Sequence, residues 1–278
     1  MATEGQTYTN MKKASNMLGE PVISSISEVP ITTQRKPFLQ PEDDQRLSHT
    51  GRSFSLGSVS RKVELTIAKG TARANMAATH DRPNGTTEYD WNKIHRHQTV
   101  LQQHCEFFDR DQDGVIWPLD TFIGFYKLGF GLILSTISVF IIHGNFSYPT
   151  VRGYLPDPFF RIFIDNIHKD KHGSDSGAYD TEGRFSSQKF EDIFAKYAEG
   201  RDYMTIGDIF AMLKGNRVIA DPVGWGGAFF EWIATYIMLW PADGRIWKED
   251  IRGIYDGSLF YTIAARRSQK KDVQSKHN

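Results

Sequence analysis

Twelve residues, DRDQDGVIWPLD (Asp109–Asp120), constrain this chain more than any other stretch. Asp109, Asp111 and Asp113 stand at positions one, three and five of a loop. Gly114 takes position six, where the chain must adopt a conformation costly for a side chain. Val115 at seven offers its carbonyl, and Ile116 at eight joins a short strand. Asp120 closes the loop at position twelve, where Glu is usual. A hard cation needs several oxygens around one point, and this spacing supplies them without a separate scaffold. The competing reading is a solvated acidic turn. The short Asp120 side chain would lower calcium affinity or favour magnesium. Such a loop lies between two helices, so the expected fold is mainly α and built on EF-hand-like helix–loop–helix units.

The segment after the loop is unusual for a soluble calcium protein. From Leu128 to Ile142 there is no charge. As a helix this run measures roughly 22 Å, short of the roughly 30 Å of a bilayer core. GNFSYPTVRGYLPDPFF comes next, and Pro149, Pro156 and Pro158 are expected to turn the chain. No window reaches 18 strictly apolar residues, so no spanning helix is expected. A proline-bounded apolar hairpin, re-entrant or lying in a lipid monolayer, accommodates the prolines. A buried core helix is the alternative.

Residues 1–86 are polar, rich in Ser, Thr, Gly, Asn and Gln, and read as a disordered arm without a secretory leader. Formal net charge is zero, which gives no general affinity for nucleic acid. One cysteine, Cys105, excludes a disulfide within the chain and a Cys-based zinc site. Thr87 and Asp90 resemble a capping box, opening a helix with Ile94, His97, Leu101, His104 and Phe108 on one face. A histidine on an apolar stripe is either a satisfied core residue or a ligand, and His97 is left as core or rim. FRIFIDNIH (Phe160–His168) fits a helix. Ser187–Ala198 is an amphipathic helix, and Thr205 with Asp208 caps another. DGRIWKED (Asp243–Asp250) echoes DGVIWPLD, and Asp180–Phe190 is a weaker third copy; both read as relics that bind no metal. The aromatic run Trp225–Trp240 is either core or the lining of a lipid site. Residues 266–278 form a basic tail that is expected to fray.

LQQHCEFFDRDQDGVIWPLDTFIGFYKLGF, GYLPDPFF, IDNIHKDKHGSDS, YDTEGRF, FAKYA, GNR and DGSLF, in this order, resemble the caleosins, calcium-binding peroxygenases of lipid droplets. The resemblance covers residues 87–265: a unit at 95–130, a lipid-associating segment at 128–158 and a helical part at 159–265. The polar arm points to a fungal-like member. The resemblance implies heme b and Ca2+ as cofactors and oxygen transfer from fatty-acid hydroperoxides to unsaturated lipid or other acceptors. It implies attachment to the lipid-droplet monolayer and endoplasmic reticulum membrane, facing the cytosol, with a possible homo-oligomer. It assigns heme contact to His104, as axial ligand, and to His172, as second heme-site or acid–base residue. His168, one turn earlier, is held in reserve. Asp109, Asp111, Asp113, Val115 and Asp120 are the metal set. A non-catalytic calcium-binding structural protein of droplets is the alternative.

Overall fold

The computed structural model describes residues 75–275, with side chains to 270. Most of the arm expected at residues 1–86 therefore lies outside the described residues. Its last part does not behave as an arm. Met76, Ala77, Ala78 and Thr79 are buried, Thr86 donates to Asp256 Oδ2 at 2.5 Å, and Lys248 Nζ reaches Asp81 at 3.1 Å. The packed region thus begins before Thr87, because this segment's small apolar side chains and polar groups find partners far along the chain.

The fold is mainly helical: α1 (Trp91–Ile94), α2 (Val100–Glu106), β1 (Val115–Ile116), α3 (Pro118–Leu128), α4 (Gly131–Thr150), β2 (Ile162–Phe163), a 3-10 helix (Ile164–Asp170), α5 (Ser187–Tyr197), β3 (Tyr203–Met204), α6 (Ile206–Asn216), α7 (Pro222–Leu239), β4 (Ile246–Trp247), α8 (Lys248–Tyr255) and α9 (Ser258–Ser275). Each two-residue strand sits between two helices. β1 pairs antiparallel with β2, Ile116 opposite Ile162, and β3 with β4, Met204 opposite Ile246. Four helix–loop–helix units are thus tied in two pairs. Two short strands satisfy only a few backbone groups, so each pair relies on its core. Phe190, Phe194, Met204, Ile209, Met212 and Ile246 fill the second pair's core, each contributing roughly 1.5–3 kcal/mol on burial. Cys105, Ile116, Ile162, Ile164 and Ile167 fill the first pair's. Leu128, Met238, Ile254 and Phe260 join the two, with α9 at the seam.

Several elements differ from the sequence expectation. The helix opening at Thr87 is broken: Tyr89 and Asp90 have left-handed backbone, and Thr87 makes no side-chain cap. The operative capping box is Thr99 with Gln102, which starts α2 and leaves His97 exposed outside it. FRIFIDNIH divides into β2 and the 3-10 helix, because Ile162 and Phe163 pair with β1. Asp180–Phe190 is a bridged turn leading into α5, in which Asp180 accepts from the N–H groups of Glu182 and Arg184. The third unit's loop lies beyond it, around Tyr203. The basic tail stays helical to Ser275.

The apolar run is one helix. Pro149 sits in the last turn of α4, where a missing N–H forfeits a single bond, so the helix continues to Thr150. At 20 residues α4 is about 30 Å long, and by length and composition it is long and apolar enough to cross a membrane. Its faces are inverted. Ser135, His143, Ser147 and Thr150 are buried against protein, while Leu132, Ile133, Ile137, Phe140 and Tyr148 face outward. His143 lies between Thr121 of α3 (2.7 Å) and the carbonyl of Phe160 (2.6 Å).

Candidate functional site

The first loop gathers its carboxylates. Ligand oxygens of Asp109, Asp111 and Asp113 all lie within 4.8 Å of one another. Asp109 Oδ2 accepts from Gly114 N–H at 2.8 Å, and Asp113 Oδ1 from Val115 N–H at 2.8 Å. Asp109 Oδ1 is buried with no hydrogen-bond partner. Burial pushes the Asp109 carboxyl above its ordinary pKa; the Gly114 hydrogen bond opposes this, and the charges of Asp113 and Asp111 add to it. An orphaned buried oxygen among like charges fits a hard cation. Asp120 is placed differently. Its Oδ2 accepts from Trp117 N–H at 3.1 Å, capping α3, and its Oδ1 is 3.6 Å from Arg110, so the structure does not bring it into the cluster.

The other loops show why the first stands apart. In the third, Arg201 Nη2 holds both oxygens of Asp208 at 3.0 Å. In the second, Arg161 grips Asp157, with Nη2 to Oδ2 at 2.6 Å. A guanidinium matches a carboxylate in two places, so these loops carry a permanent internal cation. In the first loop Arg110 reaches only Asp120.

His104 projects from α2, which ends just before Asp109. Its Nδ1 is 2.7 Å from the carbonyl of Ile254. A carbonyl only accepts, so Nδ1 carries the proton and Nε2 keeps its lone pair. Burial pulls the imidazole pKa below its usual value, partly opposed by the Ile254 hydrogen bond. A neutral ring with one nitrogen anchored and the other free is the donor that a metal requires. The ring lies edge-on to Phe260 at 5.1 Å. Backbone supports it from behind: Gly257 has φ +76, and a Cβ there would stand 2.5 Å from the Gln103 carbonyl oxygen and 3.1 Å from His104 Cα. Cys105 next to it is buried, and burial pushes its thiol up to about 12, so it stays protonated.

His172 lies on the other side, against the N-terminal end of α7. Its Nδ1 is 3.2 Å from Ser174 N–H and 3.4 Å from Asp221 Oδ2. Gly224 and Gly227 of α7 face the ring, and a Cβ on Gly227 would stand 3.7 Å from Nε2. His168, the reserve, lies in the 3-10 helix.

Two acids escaped the sequence reading. Glu231 is one turn beyond Gly227, on the α7 face that meets His172. Its side chain is exposed, yet desolvation by the protein around it, with Asp175 and Asp170 adding repulsion, pushes its carboxyl up to about 7. Burial likewise pushes Asp170 up to about 7. The charges of both acids push the Cys105 thiol up further. The available signal was a lone carboxylate in the otherwise uncharged run Trp225–Trp240.

The family described as Caleosin related protein matches residues 96–264. A peroxygenase of Lilium longiflorum is 36% identical over 254 residues, covering 91% of this chain and 95% of its own length. That alignment runs into the N-terminal arm. A probable peroxygenase 4 of Arabidopsis thaliana is 40% identical over 61% of this chain and 88% of its own length. A probable inactive peroxygenase-like protein of the same plant is 33% identical over 52% of this chain and 70% of its own length. No solved structure matches.

Proposed function

The chain belongs to the caleosin family, and on that premise we propose that it is a calcium-dependent heme peroxygenase working at the surface of lipid droplets and the endoplasmic reticulum. It would move one oxygen atom from a fatty-acid hydroperoxide to an unsaturated lipid or another oxidisable acceptor, leaving the corresponding alcohol. The single observation that carries this reading is His104, with Nδ1–H spent on Ile254 and Nε2 uncommitted. Heme, when bound through Nε2, supplies the redox-active iron that cleaves an O–O bond.

The protein's part is positioning and proton handling. The proton on the terminal oxygen of the hydroperoxide must reach the inner oxygen, which leaves as the alcohol. Glu231, its carboxyl pushed up to about 7, suits this transfer, and His172, against the same face of α7, offers a second basic nitrogen. Aromatic side chains packed beside His104 keep its surroundings apolar. Ca2+ on Asp109, Asp111 and Asp113 would hold the end of α2 and so fix the direction of the imidazole. The outward apolar face of α4 supports attachment to a lipid monolayer.

The test is the absorbance spectrum of heme-supplemented protein. A Soret band is expected, lost together with hydroperoxide turnover in His104→Val, while calcium binding persists. A wild-type protein with no Soret band would instead be the calcium-binding structural protein of droplets. Full turnover in His104→Val would mean that another residue holds the iron.

A further inference from the structure

We propose that the elbow joining α6 to α7, residues 217–225, is a second lipid-contact surface, separate from α4, which docks on anionic lipid and passes acyl hydroperoxide to the His172 side of the site. The delivery step rests on the function proposed above; the docking does not.

The elbow's exposed side chains are apolar. Ile219 is 87% exposed and Val223 70%, with Val218 beside them. Phe210 on α6 and Phe229 and Phe230 on α7 extend the patch, with Phe210 and Phe229 ring centroids 6.4 Å apart. Single exposed apolar residues are ordinary, but three on one turn with three exposed phenylalanines on the adjoining helices are not.

The elbow is also braced. Trp225 Nε1 donates to the carbonyl of Val218 at 2.6 Å, and Val218 N–H donates to Ser174 Oγ at 3.1 Å. Apolar residues presented on a fixed turn lose little entropy when a surface meets them.

Charge selects the occupant. Arg217 lies over the Trp225 ring at 5.0 Å, and Lys214 is exposed one turn earlier. The acid within the elbow, Asp221, is committed inward, accepting from Ser174 N–H at 2.9 Å and Gly224 N–H at 3.0 Å and lying 3.4 Å from His172 Nδ1. Two exposed cations, Lys214 and Arg217, therefore flank an aliphatic tip with an indole at its edge. That composition suits an anionic lipid interface. Ser174 and Asp221 bridge the elbow to His172, so a chain leaving lipid at Ile219 arrives beside the imidazole.

The full-length, heme- and calcium-loaded protein carrying Ile219→Cys would be labelled with nitrobenzoxadiazole; buried Cys105 does not compete. A second sample is labelled at Lys196→Cys, on the exposed face of α5. Both are mixed with phosphatidylcholine vesicles, with and without phosphatidylserine. The expected result is a blue shift and brightening at position 219, larger with phosphatidylserine and weakened by salt, with no change at position 196. In addition, Ile219→Ser with Val223→Ser raises KM for vesicle-borne linoleic acid hydroperoxide at least about tenfold relative to soluble cumene hydroperoxide. A label at 219 that stays at its aqueous wavelength while the protein floats with the vesicles overturns the proposal; the elbow would then face water or a protein. A shifted label on a protein without turnover supports the docking and refutes the enzymatic reading alone.

Discussion

Gly257 and Gly244 make a matched pair. Both have left-handed backbone, φ +76 and φ +71, but a Cβ on Gly244 meets nothing within 4 Å, whereas one on Gly257 meets the Gln103 carbonyl oxygen at 2.5 Å. Gly244→Ala therefore costs only the backbone term, about 1–2 kcal/mol. Gly257→Ala pays that and must also push α2 away by about 0.9 Å to restore ordinary contact at 3.4 Å. Forced overpacking adds about 1–3 kcal/mol. At about 2–4 °C per kcal/mol for a protein of this size, the melting temperature should fall by roughly 2–12 °C more than for Gly244→Ala. The displaced element carries His104, and a ligand bond tolerates only about 0.5 Å of misplacement. Heme titration should therefore show at least about a tenfold weaker half-saturation for Gly257→Ala and no weakening for Gly244→Ala. Equal heme affinity and equal melting in the two variants would refute the claim that this turn seats the histidine.

Three more outcomes are expected from buried charge and bound metal. Lys248 and Glu191 are both buried and 2.7 Å apart; Lys248→Met should cost about 3–5 kcal/mol in urea unfolding, and adding Glu191→Leu should restore most of it. The raised Glu231 carboxyl keeps a proton in the folded state that the unfolded chain has lost, so stability falls as pH rises from about 4.5 through about 7. Glu231→Gln should accordingly raise the heme-free melting temperature at pH 8 and leave it nearly unchanged at pH 5; a gain at pH 5 alone would reverse the sign. Chelation should loosen the first loop only: hydrogen exchange is expected to rise at residues 109–116 and in α2 but not at 199–208, where Arg201 stays in place whatever the metal content.

The sequence made the first loop legible because spacing alone sets its chemistry. It revealed the fourth loop through Ile246 and Trp247, which keep the strand position of Ile116 and Trp117. The second and third loops were invisible, since Arg161 and Arg201 replaced carboxylate patterns with ion pairs that form only after folding. Thr87 with Asp90 has the spacing of a capping box, but the left-handed backbone at Tyr89 and Asp90 breaks that helix, and Thr99 with Gln102 caps the one that forms. Glu231 read as one polar residue in an aromatic run, and only the packing of α7 against His172 gave it a neighbourhood. Gly257 had no spacing to betray it, since what it touches lies about 150 positions earlier.

An inside-out helix changes what counts as solvent. α4 keeps the hydroxyls of Ser135, Ser147 and Thr150 and the imidazole of His143 against the rest of the chain and offers Leu132, Ile133, Ile137 and Phe140 to the exterior. On the lipid surface proposed above that face would be covered; in plain buffer it is exposed, and copies of the protein should stick together through it. A melting curve recorded in water would then report the protein's own core without the contribution of that surface.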